Sequence, residues 1–339
     1  MTSEPHGLPR SDSGEVADVG GPASASGRTR GWRRLLRPAF VGAVVIAVAA
    51  LLWRQRDDVI RSLESISPLN VGESLLLGLV GAWLPGLVWR NLLASQGYPT
   101  TPAAGQRAFF VAQLGKYLPG GIWNLVAQVA LARELRIPGR QAASATFLTL
   151  ALSVLSALLL AGLTLPFALP ELLAQYWWAF LAVPIALVML HPRVVAWWSA
   201  AVFRLLRRPG ESVRLSWPVL VRAVVLLVLS WVAFGLHFGI LVRALGTDVP
   251  SLRLLSIGVF ALAWVAGFLI VIAPAGAGVR EAVLVFGFAS FLPAGALLTM
   301  AVLSRVLLIV ADVLLAGVMA ATGWLDVRRH ASGAAGSAP

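Results

Sequence analysis

The sequence predicts an all-α polytopic membrane protein with inverted repeats and two broken or re-entrant helical hairpins. Of its 339 residues, 58% are hydrophobic and 12% are charged, whereas about a quarter of the residues in a soluble domain are charged. Several apolar runs reach the roughly 20 residues that a membrane-spanning helix needs. Two further runs are interrupted by proline and glycine, one in each half of the chain.

Residues 1–37 are expected to form a disordered, basic cytoplasmic tail. They are rich in glycine, serine and proline, lack apolar periodicity and end in a cluster of arginines. The apolar run 38–53 is either the core of a signal peptide or an uncleaved first helix. Because Arg54 and Arg56 follow this run directly and no small-residue cleavage site is present, we favour the uncleaved helix.

Residues 38–325 are predicted to form a helical membrane domain, followed by a second disordered cytoplasmic tail at 326–339. The apolar composition of this domain leaves few stretches that water would solvate. Beyond the first helix, the unbroken apolar segments are 72–95, 141–167, 175–190, 217–243 and 297–324.

Segments 107–135 and 254–292 are also apolar, but each is broken in its middle. The first is interrupted by glycine and proline at 115–121, and the second at 273–278. Proline lacks an N–H and clashes with the preceding turn, and glycine weakens a helix. Each segment therefore predicts two shorter helices joined by a non-helical elbow.

The arginine distribution predicts cytoplasmic N- and C-termini and a location in the cell membrane, because short cytoplasmic loops are enriched in Lys and Arg. The same rule places loops 133–140 and 191–216 inside. Loops 168–174 and 293–296 carry neither residue type and are predicted outside. These assignments agree only if each broken segment enters and leaves on one side. Residues 54–71 do not fit, since they carry three arginines but are predicted outside.

The two halves of the domain are similar in organisation. Repeat one, at about 38–167, and repeat two, at about 175–325, each contain two helices, a broken hairpin and a further helix. In both halves the proline of the elbow lies nineteen residues before the proline that precedes the next long helix. One interpretation of this spacing is that the prolines and glycines simply lie in loops. We interpret the pattern as an inverted repeat, whose interrupted segments mark the binding site in many transporters.

The elbows are expected to line a cavity, because irregular backbone at membrane depth is tolerated only in protein or beside water. A helix should start after each elbow, near Ile122 and Val279. Its free N–H groups would attract an anion such as a phosphate. Lys116 and Arg280 lie beside the two elbows and add full positive charge. The candidate substrate-binding residues are Lys116, Tyr117, Pro119, Gly120, Asn124, Gln128, Pro274, Gly276, Gly278, Arg280, Glu281, Arg305 and Arg90.

Several of these polar residues also have a structural interpretation. Asn124 and Gln128 share a helix face and either bind headgroup oxygens or join helices. Ionisable groups in a membrane usually face an interior partner or a polar pathway. Arg305 is therefore expected to pair with Glu281 or Asp312, and that pair is either part of the site or purely structural.

Two more residues are open to the same question. Arg90 lies near a helix end, where its side chain either serves the site or extends to the interface. His237 is a lone polar group in an apolar helix and is expected to be a packed residue rather than a proton relay.

Composition and motifs argue against several classes of function. The chain has no cysteine, and its four histidines lack the spacing of metal ligands. No phosphate-binding loop, dinucleotide-binding motif or hydrolase motif is present. We therefore expect no cofactor, no metal, no catalytic residues and no enzyme activity. The net charge of +12 is concentrated in loops between apolar runs, which indicates a membrane protein rather than a nucleic-acid partner.

The segment Gly115–Gly120, the segment Pro274–Glu281 and the later Arg305 resemble the flippase-like membrane domain of lysylphosphatidylglycerol synthases. The resemblance covers about residues 39–325. It implies translocation of a lipid between leaflets through a cavity between inverted repeats. In the full-length synthases a soluble aminoacyltransferase domain follows. Here the chain ends soon after its last helix, so we expect a free-standing member without the synthase activity.

The expected function is therefore a flippase-like lipid transporter that binds or translocates an anionic or lipid-linked substrate. A phospholipid and a polyprenyl-linked lipid are both compatible with the resemblance. The alternative is a membrane subunit or enzyme acting on a lipid-linked glycan, for example with a glycosyltransferase partner. An aminoacyltransferase partner is also compatible. A scaffold without a substrate would leave the intramembrane charges without a role.

Overall fold

The protein is described by a computed structural model, and its described residues are entirely helical apart from turns and loops. This confirms the predicted all-α class. The predicted helix at 38–53 and the N-terminal tail lie almost wholly outside the described part. The described residues are 53, 60–61, 64–117, 123–169, 181–205, 215–246, 249, 251–269, 276 and 278–335.

Most of the described residues lie in α-helices. In chain order they are α1 (Pro68–Ser95), α2 (Pro102–Gln113), the 3-10 helix η1 (Leu114–Tyr117), α3 (Trp123–Glu134), α4 (Gly139–Ala168), α5 (Ala182–Met189), α6 (Pro192–Leu205), α7 (Trp217–Arg243), α8 (Leu252–Leu269), α9 (Val279–Phe288) and α10 (Ala294–Ala335).

Five of the described helices are long and apolar enough to cross a membrane, which confirms a multi-pass protein. These are α1, α4, α7, α8 and, over Ala294–Thr322, α10. Their outer faces carry exposed apolar side chains such as Leu76 and Val313. Lipid solvates these side chains as well as the protein interior does.

A proline inside α1 shows how the helices are fitted to one another. Pro85 has no N–H to donate to the carbonyl of Gly81, one turn earlier. The hydroxyl of Ser230, on α7, donates to this carbonyl instead at 2.7 Å. Gly81 also lies against the ring of Phe234 on α7. The broken hydrogen bond of α1 is therefore replaced by a contact that positions α7.

His237 connects three of the spanning helices. Its Nδ1 lies 2.8 Å from the carbonyl oxygen of Ser74 on α1, and its Nε2 lies 2.8 Å from the hydroxyl of Ser304 on α10. A neutral imidazole that donates from Nδ1 and accepts at Nε2 satisfies both contacts. The side chain is fully buried, so His237 is packed as expected.

Each predicted broken segment is two helices in the structure. The first is α2 with η1, followed by α3, and the second is α8 followed by α9. A Cβ added to Gly115 in η1 would lie 2.7 Å from the backbone of Trp123 and Asn124, so the two arms of the first hairpin touch. The elbow residues 118–122 and 270–275 lie outside the described part. α8 is long enough to cross the membrane by itself, whereas a re-entrant hairpin would enter and leave on one side. Re-entry of the second hairpin therefore stays a prediction. The inverted repeat also stays a prediction.

Two expected segments differ in the structure. The stretch 191–216, predicted to be a loop, contains the helix α6, which meets α5 at a 77° bend. This prediction gave too much weight to arginines and too little to Val195 and Trp198, which pack against the protein at helical spacing. At the other end, α10 continues to Ala335, past residue 326, where the second tail was predicted to begin.

Candidate functional site

The end of the first hairpin is joined to the last helix by two contacts. Lys116 Nζ lies 2.6 Å from Asp312 Oδ2, and the hydroxyl of Tyr117 donates to the same carboxylate oxygen. The Asp312 side chain is 8% exposed and the Lys116 side chain 34%. Asp312 therefore meets its charge partner at the edge of the helix bundle, and η1 is held against α10.

The second hairpin is joined to the same helix by a second ion pair. Arg305 Nη1 donates to Glu281 Oε1 at 2.6 Å, which confirms one of the two pairings expected for Arg305. The other oxygen, Oε2, accepts from the backbone N–H of Gly278 at 2.7 Å. Glu281 thus caps the first turn of α9, where the free N–H groups favour a negative charge, and also neutralises Arg305.

Arg280 contacts an aromatic ring rather than a carboxylate. Its guanidinium carbon lies 4.4 Å from the centre of the Phe260 ring on α8, within the range of a cation–π interaction. Its Nη2 atom is buried and has no hydrogen-bond partner in the described part of the chain. A buried donor without a partner is uncommon in proteins, and here it belongs to a charged group.

These residues form one cluster, which we call the hairpin cluster: Lys116, Tyr117, Arg280, Glu281, Arg305 and Asp312. Arg280 interacts electrostatically with four of the others. The cluster contains three basic side chains and two carboxylates. When all five are ionised, it carries one net positive charge. Such a charge at membrane depth is costly unless an anion or water accompanies it.

The glycines of the second elbow bring two backbones together. Gly276 and Gly278 have φ values of +68° and +87°, a region that other residues avoid. A Cβ added to Gly276 would lie 2.8 Å from the Cα of Gly267 on α8. Both glycines that the sequence identified are therefore needed for the entry into α9. Pro119, Gly120 and Pro274 lie outside the described residues.

Asn124 and Gln128 have partners on the first hairpin and α4. Asn124 Oδ1 accepts from the backbone N–H of Leu125 at 2.8 Å. Gln128 is buried, and its Oε1 accepts from the hydroxyl of Thr146 at 2.9 Å, while its Nε2 has no partner in the described chain. The contact of Gln128 favours the structural interpretation, in which it joins α3 to α4.

Arg90 is bonded within its own half of the chain. Its Nη2 donates to the carbonyl oxygen of Thr100 at 3.0 Å, and its Nε to the Thr100 hydroxyl at 3.4 Å. These bonds tie the end of α1 to the turn before α2. None of the described contacts of Arg90 involves the hairpin cluster.

Sequence reasoning missed two residues of the site. Phe260 and Gly267 belong to an unbroken apolar helix, and no local signal distinguishes them from lipid-facing neighbours. Only the packing of α8 against α9 places Phe260 against Arg280 and Gly267 against Gly276. In the described part of the chain, no three His, Asp or Glu side chains come together as metal ligands would.

Comparison with known protein families matches residues 40–316 to the family described as the lysylphosphatidylglycerol synthase TM region. The match contains both hairpins and every residue of the hairpin cluster. A comparison with curated proteins found no match. Because the family match spans well over half of the chain, the protein belongs to the lysylphosphatidylglycerol synthase transmembrane-region family.

Proposed function

We propose that this protein binds the anionic headgroup of a lipid at Arg280 and translocates that lipid between the leaflets of the membrane. The observation that carries the proposal is the buried Nη2 atom of Arg280, which lacks a hydrogen-bond partner in the described chain. A phosphate oxygen would supply that bond and also balance the net positive charge of the hairpin cluster.

The energetics favour an anionic ligand over a neutral one. A buried donor without a partner loses its hydration and gains nothing in return, at a cost of about 1–3 kcal/mol and more when it is charged. A hydrogen bond between a guanidinium and a phosphate is roughly twice as strong as a neutral one. Lys116 and Arg305 already have carboxylate partners. Arg280 is therefore the cation that we assign to the headgroup.

The position of the cluster supports movement of the ligand rather than static binding. Its residues belong to η1, α9 and α10, so both hairpins and the last helix meet where the headgroup would bind. A shift of either hairpin relative to α10 would change the surroundings of Arg280. Transporters commonly move one repeat against the other around a fixed site. The membership of a family named for a lipid synthase supports a lipid as the ligand.

Phosphatidylglycerol and a polyprenyl-phosphate-linked sugar share the chemistry that the site would recognise, a phosphate in a headgroup of net negative charge, whereas the choline of phosphatidylcholine already neutralises its phosphate. We propose that the protein lies in the cell membrane with both termini in the cytoplasm. We also propose that a partner enzyme catalyses any reaction of the lipid. A glycosyltransferase or an aminoacyltransferase would be such a partner.

Reconstitution into liposomes tests the proposal. Fluorescent phosphatidylglycerol, phosphatidylcholine and a polyprenyl-phosphate-linked sugar are incorporated separately, and the fraction of each lipid that reaches the other leaflet is followed with an impermeant quencher. We expect the full-length protein to accelerate an anionic lipid more than phosphatidylcholine. Arg280→Gln should reduce that acceleration by about tenfold or more, the value of one charged hydrogen bond.

The matched control is Arg243→Gln, which removes an exposed arginine at the end of α7. This variant should retain the transfer rate of the unmodified protein. Equal rates for Arg280→Gln and Arg243→Gln would refute the assignment of Arg280. Equal acceleration of all three lipids would instead indicate a transporter that does not select an anion.

A further inference from the structure

A bent helix pair lies outside the hairpin cluster and has no part in the proposed site. α5 and α6 meet at 77° around Leu190 and His191. α5 carries exposed apolar side chains, including Ile185 at 58% and Val188 at 56%, as expected of a helix that lies in lipid. α5 has eight residues, about 12 Å of helix, and if it lies along the membrane normal a turn of this size brings α6 nearly parallel to the membrane plane.

The bend is fixed by packing. Trp198 on α6 donates from Nε1 to the carbonyl of Met189, at the end of α5, at 3.2 Å. The ring of Trp198 also lies edge-on to Phe147 on α4, with the ring centres 5.9 Å apart. The angle between α5 and α6 is therefore held by a third helix.

The two faces of α6 are distinct. Val195 and Ser199 are fully buried, whereas Arg193, Trp197 and Arg204 are exposed. At about 100° per residue, the three exposed residues lie within about 40° of one another and roughly 120–180° from the two buried ones. They form a single stripe along the helix, in which a tryptophan lies between two arginines. We call it the α6 stripe.

We propose that the α6 stripe lies in the headgroup layer of the membrane and binds anionic phospholipids. Tryptophan is enriched at membrane interfaces because its ring is apolar and its N–H is polar. Trp197, at 65% exposure, is a large apolar side chain that water would solvate poorly. Arginines beside a membrane surface attract anionic headgroups.

This inference is independent of the proposed transport function. The hairpin cluster is built from η1, α9 and α10, and none of its residues lies on α5 or α6. The α6 stripe would bind lipid as a surface, without moving it. Its role would be to attract anionic lipid to the protein and to set the depth of α6 in the interface.

The chain has no cysteine, so a single labelled cysteine reports on α6 without background. Ala200→Cys places a fluorophore about 20° from Arg193 on the helix wheel. The full-length protein is reconstituted in nanodiscs that contain headgroup-quencher-labelled phosphatidylglycerol or phosphatidylcholine at equal density. We expect stronger quenching by phosphatidylglycerol, and poor quenching by aqueous iodide.

Arg193→Gln with Arg204→Gln should bring the two lipids to nearly equal quenching, with a loss of roughly fivefold in preference for each arginine near the surface. The matched control, Arg243→Gln with Arg253→Gln, removes two exposed arginines elsewhere and should keep the preference. Trp197→Ala should increase quenching by iodide, because the helix loses its apolar anchor. Size-exclusion chromatography verifies that each variant is folded.

Two results would overturn the proposal. Equal quenching by both lipids in the unmodified background would exclude a preference for anionic headgroups. Weak quenching by both lipids, with full access to iodide, would place α6 in water, where a soluble protein partner is the appropriate interpretation of the α6 stripe.

Discussion

The backbone of Gly267, near the end of α8, contacts the backbone of Gly276, just before the start of α9. A Cβ added to Gly276 would lie 2.8 Å from the Cα of Gly267, and Gly276 has a φ of +68°. Arg280 is the second residue of α9, and its Cβ lies 3.5 Å from where a Cβ on Gly267 would be. The close approach of the two glycines therefore helps to position Arg280, whose Nη2 atom has no hydrogen-bond partner in the described chain.

Gly276→Ala should lower the free energy of unfolding by about 2 kcal/mol or more. The left-handed φ costs other residues about 1–2 kcal/mol, and the clash with Gly267 adds to it. Thermal unfolding in detergent measures the change. Gly317→Ala is the control, since this exposed helical glycine has open space around it and alanine favours a helix there by about 1 kcal/mol. Equal melting temperatures for the two variants would show that the contact between Gly276 and Gly267 does not restrict the residue at position 276. For Gly276→Leu we also expect loss of lipid transfer.

The two ion pairs on α10 should be structural, and their loss should reduce stability. Arg305→Gln leaves the buried Glu281 without its charge partner, and we expect a loss of about 3 kcal/mol, the lower end of the range for breaking a buried pair. Lys116→Gln should cost less, about 1 kcal/mol, because Lys116 is more exposed and Tyr117 still donates to Asp312.

A double-mutant cycle separates pairing from other effects of these changes. Arg305→Gln combined with Glu281→Gln should recover part of the stability lost in Arg305→Gln alone, because the carboxylate that lost its partner is itself removed. Strictly additive losses would contradict the pair. Arg280→Gln, by contrast, should leave the melting temperature within a few degrees of the unmodified protein while lowering lipid transfer.

Ser230→Ala should lower the free energy of unfolding by about 1–2 kcal/mol, because it leaves the carbonyl of Gly81 without a donor inside the bundle. The same change should cost less in a Pro85→Ala background, where residue 85 regains its N–H. Chemical denaturation in detergent measures the four proteins of this cycle. An equal cost in both backgrounds would show that Ser230 does not compensate for the proline.

Cysteine labelling tests the orientation in the membrane. With no native cysteine, Leu169→Cys should react with an impermeant reagent added outside intact cells, and Arg207→Cys should react only after the membrane is opened. The reason is the concentration of arginines between residues 191 and 216. Reaction of Arg207→Cys from outside would reverse the assigned topology.

Much of the architecture follows from the sequence alone. An apolar composition that water cannot solvate leaves membrane helices as the available structure, and Pro and Gly interrupt two of them because they cannot continue a helix. Local sequence also identified the residues around the elbows, including Arg280 and Glu281, because charges are uncommon beside breaks in apolar segments. It narrowed the partner of Arg305 to two carboxylates.

Only the tertiary structure decided which charges pair. Tyr117 and Asp312 are separated by 195 residues, and no periodicity relates positions so far apart. Lys116 was expected to hold the ligand, but the packing of η1 against α10 gives it Asp312 as a partner. Arg280 was expected to act beside it, and the packing of α8 beneath α9 gives it Phe260 and leaves Nη2 unpaired. Helix-breaking residues act locally, whereas ion pairing depends on how distant helices pack against one another.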